Sequence, residues 1–600
     1  MKKIIILIFA TTILCSCNSD SKKAESETVS QNKDAQFNAY KEQFVLSLWK
    51  LYPNWASGQG FHNYDSVLII PNEAQRNSEL TFSKNNLDSL KNYPLTTLSN
   101  NNKTDYYMIE NQLKSIEWSI NNLKSYEWNP SDYNVCGVFA EMLNNNYDSL
   151  DVRLHNFGLK LKNVQAYYEE AKKQIKNPTI EHTELAISQN IGGASVFTDD
   201  VKNAMLKSKL PAAEKKQIET LANQSFEAVN NFAKWLKEYK NTSPRSFRLG
   251  KELYAQKFVF DIQSGYSADQ IYQKAIEHKK DLHQKMFVLA NELWEQYIHN
   301  SEKLTVGGKG FTKKPTDTLT LIKQVIDALS LHHVSADSFQ IAIEQQIPVL
   351  VNFIKKKNLI FIDSTKPLVV RKEPAYMAGL AGASISSPGP YDKNGNTYYN
   401  VGSFGGWDKQ RTESYLREYN HYILQILNIH EAIPGHYTQL IYANQSPSII
   451  KAIFGNGAMV EGWAVYTERM MLENGYPNLT SNESSKEMWL MYYKWNLRTT
   501  CNTILDYGVH VNNLSKEDGI NLLTKQAFQQ KAEAEGKWRR VSLSQVQLCS
   551  YFTGYTEIYD FREELKKQQG DKFNLKQFHE QFLSYGSAPV KYIKELMTKD

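Results

Sequence analysis

The sequence predicts a mainly α-helical protein with one small β insertion, on three observations. Gly (29) and Pro (17) are scarce in 600 residues, so strong helix breakers are few. Segments 151–176, 212–240, 268–297, 338–357, 408–433 and 485–511 repeat apolar residues at three- and four-residue spacing, the period of an amphipathic helix. One stretch, 367–403, breaks that pattern. It holds Leu368-Val369-Val370, the small-residue run Met377 to Ser387 and Thr397-Tyr398-Tyr399-Asn400-Val401, with Ser387-Pro388-Gly389-Pro390 and Lys393-Asn394-Gly395-Asn396 as turn signals between them.

Composition narrows the class. Hydrophobic residues at 41% and charged residues at 22%, with 12% aromatics, suit a packed globular chain and exclude a disordered or collagen-like one. The length accommodates more than one lobe. A net charge of +5 on this size of chain, without a helix-turn-helix, zinc-finger or RNA-binding signature, excludes nucleic acid as the expected partner.

Taken in order, Lys2 and Lys3 precede the apolar run Ile4 to Leu14, which is too short to span a bilayer and has the form of a secretory signal. Leu14-Cys15-Ser16-Cys17 resembles the lipobox of bacterial lipoproteins. Residues 1–16 are then a signal peptide, and Cys17 carries the lipid that anchors the chain to a membrane; an ordinary secretory signal is the alternative. Asn18 after Cys17 resembles the sorting rule of enteric lipoproteins for the outer membrane, on its periplasmic or surface face. Residues 17–40 read as a polar, flexible tether, 41–365 as a helical N-terminal lobe and 366–600 as the lobe that carries the chemistry, with no compositional linker near 365. Cys136, Cys501 and Cys549 are too few and too widely spaced for a disulfide framework, although one pair is open to them.

Four of the 13 histidines, His421, His430, His436 and His510, fall within ninety residues. Ile429-His430-Glu431-Ala432-Ile433-Pro434-Gly435-His436 is close to the HExxH zinc motif, in which two imidazoles one turn apart hold the metal and the Glu activates water. Here the histidines are six apart. A straight helix would point them about 120° from one another. Pro434-Gly435 supplies the break that brings them together. Glu461, 25 residues on, is the expected third ligand. Glu468, two turns later on the same face, is a candidate hydrogen-bond partner for a ligand imidazole, and its own ligation stays open. From spacing alone, a helix ending at Pro434 with a capping His and a surface Glu also remains open.

His430–His436 together with Glu461-Gly462-Trp463-Ala464 resembles the bacterial domain-of-unknown-function family DUF885, whose members carry HExxPGH and EGWA motifs. The resemblance extends to Arg498, Asp506-Tyr507-Gly508-Val509-His510 and Ser550-Tyr551-Phe552-Thr553-Gly554, and departs at Tyr437 and Leu543-Ser544, where many members have His and Pro-Gly. That family is read as zinc metallopeptidases of gluzincin-like architecture. The resemblance therefore implies a large, helical, two-lobed body with a central cleft. It also implies a Zn²⁺ cofactor on His430, His436 and Glu461, with Glu431 as general base and His510 and Tyr551 as transition-state donors. Arg498 and Arg562 are candidates to clamp a substrate carboxylate. The strand around Tyr398-Tyr399-Asn400 is a candidate to pair with an extended peptide. The expected function is a lipid-anchored zinc metallopeptidase that hydrolyses envelope or extracellular peptides. The alternatives are a zinc-dependent hydrolase of another amide or ester, and a non-catalytic peptide-binding lipoprotein. The intact Glu431 argues against the last.

Overall fold

The computed structural model describes residues 20–299, 314–366, 368–373, 383–392, 395–479 and 484–598; the signal, Cys17, part of the small-residue run and Lys393-Asn394 lie outside them. The body is mainly helical. Segment 212–240 forms Ala212–Glu238, and 268–297 forms Ala268–Trp294, opened by a Ser267/Gln270 capping box. Two predicted segments each divide. Leu150–Leu161 and Val164–Gln174 meet at Lys162-Asn163. Lys409–Glu418 and His421–Glu431 are separated because Asn420 caps the second helix, its side chain accepting from the backbone of Tyr422 and Ile423.

The β insertion is a three-stranded sheet of β1 (Leu368–Lys372), β2 (Ala383–Ser386) and β3 (Thr397–Val401), in the order β1-β3-β2. β3 is central, parallel to β1 (Leu368 opposite Thr397) and antiparallel to β2 (Ile385 opposite Tyr399). Tyr399 and Asn400 are fully buried on it.

Among the described residues two hydrophobic cores form, and they do not divide at residue 365. The smaller core joins Leu68 to side chains between Tyr133 and Leu236. The larger one joins residues on both sides of 365, from Phe37 to Ile593. Within it the Ala268–Trp294 helix packs along Lys486–His510, Tyr254 donates to Asp506 at 2.8 Å, and His579 reaches the Leu359 carbonyl at 2.8 Å. The lobe boundary therefore encloses residues of about 133–236 rather than following 365. The tether is also shorter than predicted. A helix runs Asp20–Leu51, Phe37 is fully buried against Tyr93, and Asp34 accepts from the Ser99 backbone at 3.0 Å. Residues 34–40 thus belong to the packed body. Cys136, Cys501 and Cys549 are buried free thiols. Among the described residues no helix is long and apolar enough to cross a membrane.

Gly457–Glu473 and Cys549–Gln569 are the most intimately packed pair of helices. Two glycines permit it: a Cβ on Gly462 would stand 2.4 Å from Gly554 Cα, and one on Gly554 would stand 1.7 Å from the Ala458 carbonyl oxygen. Gly554→Ala is expected to cost roughly 2–3 kcal/mol, because backbone rather than a flexible side chain must give way. Gly536→Ala, inside a helix with nothing within 4 Å of the added carbon, is expected to gain about 0.5–1 kcal/mol. Denaturant midpoints of the two variants check the pair; equal midpoints would contradict the close approach.

Candidate metal centre and active-site cleft

His421–Glu431 stops where Ala432 leaves helical dihedrals, and His436–Asn444 begins directly after Gly435. Gly435 fits because it has no side chain: a Cβ there would lie 1.8 Å from the His430 carbonyl oxygen. Its N–H returns to the Ile429 carbonyl at 3.0 Å, and Trp463 Nε1 holds the Pro434 carbonyl at 2.9 Å. The break brings the two imidazoles to a 4.7 Å centroid separation at 86°.

Glu461 meets them from the Gly457–Glu473 helix. Its Oε2 lies 3.6 Å from His430 Nε2 and 3.4 Å from His436 Nε2. One donor atom from each of the three residues falls within 4.8 Å of the others. Glu461 Oε2 is buried and makes no hydrogen bond among the described residues. Donor atoms on a tetrahedral ion at 2.0–2.1 Å are about 3.3–3.4 Å apart. The three therefore fit a cation better than they fit one another. Two imidazoles and a carboxylate with room for a fourth ligand are the donor set of a catalytic zinc site.

Glu468 sits two turns along and is fully buried. Its Oε1 accepts from His430 Nδ1 at 2.7 Å and from Trp495 Nε1 at 3.0 Å. That bond places the proton of a neutral His430 on Nδ1 and leaves the Nε2 lone pair directed at Glu461. Glu468 is thus positioned as partner to the imidazole. Burial alone disfavours charge on His430, but Glu461 and Glu468 outweigh it and push its pKa up to about 10. The surroundings favour positive charge at this point.

The three residues stand in a cleft of about 1870 Å³ between the larger body and the 133–236 lobe. Glu431 lines it without being one of the three donors; burial raises its pKa, against the opposing influence of His436 and His430. Tyr551 lines it too, its ring 6.4 Å from that of His430. Arg540 Nη2 donates to the Tyr551 oxygen at 2.9 Å, leaving the phenolic proton free to donate. Burial, followed by Glu461, pushes the Tyr551 pKa up to about 12, so the phenol keeps that proton at neutral pH.

Other expected residues fall elsewhere. His510 does not line the cleft: it is 1% exposed, and its Nε2 bonds the carbonyls of Val541 (2.9 Å) and Ser544 (3.1 Å), tying two helix ends together. Burial first lowers its pKa, as befits a neutral structural imidazole. Arg562 is also outside the cleft, engaged by Glu473 at 2.7 Å and Glu563 at 2.6 Å. Arg498 lines the cleft but is held by Glu533 at 2.6 Å. Tyr398, Tyr399 and Asn400 cannot add a strand, because β3 is paired on both sides. Among the described residues the edge strands are β1 and β2, and it is β2 whose Ala383, Ser384 and Ile385 line the cleft. Sequence reading missed Arg540, Lys537 and Trp495. The signal for the first two was the spacing Glu533, Lys537, Arg540 on one helix face.

Comparison with known proteins agrees with this architecture. Residues 53–597 match the family described as "Bacterial protein of unknown function (DUF885)". Two solved structures, both described as "putative lipoprotein", are similar. One, of unknown function, is from Shewanella oneidensis, with 51% identity, a TM-score of 0.81, and 94% of this chain and 99% of that chain covered. The other is from Colwellia psychrerythraea, with 16% identity, a TM-score of 0.72 and coverage of 94% and 98%; it shares the fold. No curated protein matches the chain.

His510→Ala separates structure from chemistry. It is expected to lower stability by about 1–3 kcal/mol, leaving the Val541 and Ser544 carbonyls without their partner. Metal content of the folded fraction is expected to stay at the wild-type level. Metal analysis beside thermal unfolding checks this, and metal loss without destabilisation would return His510 to the centre.

Proposed function

The chain belongs to the bacterial DUF885 family, and from that premise and the cleft we propose that it is a zinc-dependent hydrolase that cleaves peptide bonds in the cell envelope. The observation that carries this reading is the convergence of His430 Nε2, His436 Nε2 and the unbonded Glu461 Oε2 beside a separate cleft carboxylate, Glu431. Zinc held by His430, His436 and Glu461 supplies Lewis acidity and a water of lowered pKa.

The chain's own groups do the rest. Glu431 takes a proton from the attacking water on its carboxylate and delivers it to the leaving amine. Its raised pKa suits both directions of that transfer. Tyr551, held through its oxygen by Arg540, donates its phenolic proton to the carbonyl oxygen as charge develops there. Glu468 and Trp495 fix the ring of His430. A peptide is favoured over a small amide or ester because β2, paired only with β3 among the described residues, lines the same cleft as an edge to which an extended chain can add. On this reading a lipid on Cys17 anchors the enzyme and Asn18 directs it to the outer membrane; the similar Shewanella oneidensis protein described as a putative lipoprotein supports an envelope location.

Purified protein is expected to hold one zinc per chain and to cleave members of a peptide library. Glu431→Gln keeps shape and hydrogen-bonding capacity but removes the base. It should keep zinc and melting temperature while turnover falls by a factor on the order of 10²–10⁴. Unchanged turnover on a peptide cleaved by the wild type would remove Glu431 from the mechanism.

Cys17→Ala is expected to move the protein from the membrane to the soluble fraction with its melting temperature unchanged, because the packed body begins near Asp34. Retention in the membrane would rule out a lipid as the only anchor.

A further inference from the structure

The cleft wall next to Tyr551 carries more positive charge than its own carboxylates use. Glu418 is satisfied on both oxygens, by Lys494 Nζ at 2.7 Å and the Gln530 backbone at 2.9 Å. Glu533 Oε1 is taken by Arg498 through Nη2 at 2.6 Å and Nε at 3.1 Å. Two further cations have no carboxylate to themselves: Lys537 shares Glu533 with Arg498, and Arg540 has no carboxylate ion pair among the described residues. Lys537 is 3% exposed yet lines the cleft, and Glu533, already committed to Arg498, stands 3.8 Å from it. Arg540 is one turn further along the same helix face. Its Nη2 donates to two neutral oxygens, Gln547 Oε1 at 2.7 Å and Tyr551 at 2.9 Å.

A buried cation without its own counter-ion is costly. Burial, with Arg498 next, drives the Lys537 pKa well down, and an anion seated beside it would reverse that. Arg540 touches the phenol that faces the reacting carbonyl, so an anion bridging Arg540 and Lys537 sits a short reach from the bond being cut. A peptide advances roughly 3.3–3.6 Å per residue, which places that anion within one or two residues of the bond.

We infer that Lys537 and Arg540 form a subsite for a substrate carboxylate, making the preferred substrates peptides that carry a carboxylate within about two residues of the scissile bond. This rests on the hydrolase reading above and adds the substrate class. The carboxylate has two sources, the peptide's C-terminus and an acidic side chain.

The test uses the zinc-loaded full chain and three peptides of common sequence: one ending in a free carboxylate, one ending in a carboxamide, and the carboxamide with Asp in the penultimate position. A carboxylate-bearing peptide is expected to exceed the neutral carboxamide by about tenfold or more in kcat/KM, the effect carried by KM. Preference for the free terminus alone makes the enzyme act at chain ends; preference for the Asp peptide makes it select an acidic residue. Lys537→Met should remove the preference and Lys537→Arg should keep it. Met there also relieves the cationic crowding, so its melting temperature is expected to equal or exceed that of the wild type. Equal kcat/KM for all three peptides, or a preference that survives Lys537→Met, overturns the subsite and leaves the hydrolase reading standing. Cleavage of none by the zinc-loaded wild type overturns both.

Discussion

The site depends on a helix break and turn completed in four residues. Two imidazoles six positions apart cannot share an ion on an unbroken helix, so Ala432 to Gly435 must turn the backbone without lengthening it. The turn has little slack, since the space a Cβ would need at position 435 is occupied by the carbonyl oxygens of Ile429 and His430. It is also held from outside, because Trp463 spends its indole N–H on the Pro434 carbonyl. The residue that follows Glu461-Gly462 in sequence thus fixes the turn that carries His436, and one helix sets both the carboxylate and the imidazole geometry.

That helix is in turn set by its neighbour. Gly462 adjoins Glu461, and its contact with Gly554 lets Gly457–Glu473 sit against Cys549–Gln569 at backbone distance. Tyr551 lies one turn before Gly554 on the second helix, so the same contact sets the phenol relative to the carboxylate. A side chain at either glycine would push Glu461 and Tyr551 apart. The small residues in the two motifs are therefore packing requirements that chemistry exploits, and His430, anchored through Glu468 and Trp495, is the fixed point they are measured against.

The helical class, the insertion and the convergence of His430, His436 and Glu461 were legible in the sequence because each leaves a local trace. Periodicity marks helices, turn residues mark the sheet, and the His-Glu spacing with its Pro-Gly break marks the turn. What was not legible depends on distant contacts. His510 ends a helix in the way a site residue would, yet the carbonyls it meets come from residues 541 and 544. The division into lobes was hidden because the larger core draws on residues from 37 to 593, so no point of the sequence near 365 separates two burial patterns. Phe37 and Tyr40 share a helical apolar period with Phe44, but in their polar setting they read as the end of the tether, and only the fold brings Tyr93 against them.

Charge in the cleft follows from the same economy of positions. At the histidine–carboxylate end, Glu461 and Glu468 surround His430 with negative charge, and the pKa of His430 rises accordingly. A few residues along the wall the balance reverses, where Lys537 is pressed toward neutrality by burial and Arg498. Arg540 stands between the two regions, within electrostatic reach of Glu461 and bonded to Tyr551. On the proposed hydrolase reading, a substrate lying across that boundary meets a site suited to a cation at its reacting carbonyl and one suited to an anion beyond it. Such a gradient orients a peptide before any side-chain pocket is filled, because reversing the chain would carry its carboxylate away from Lys537.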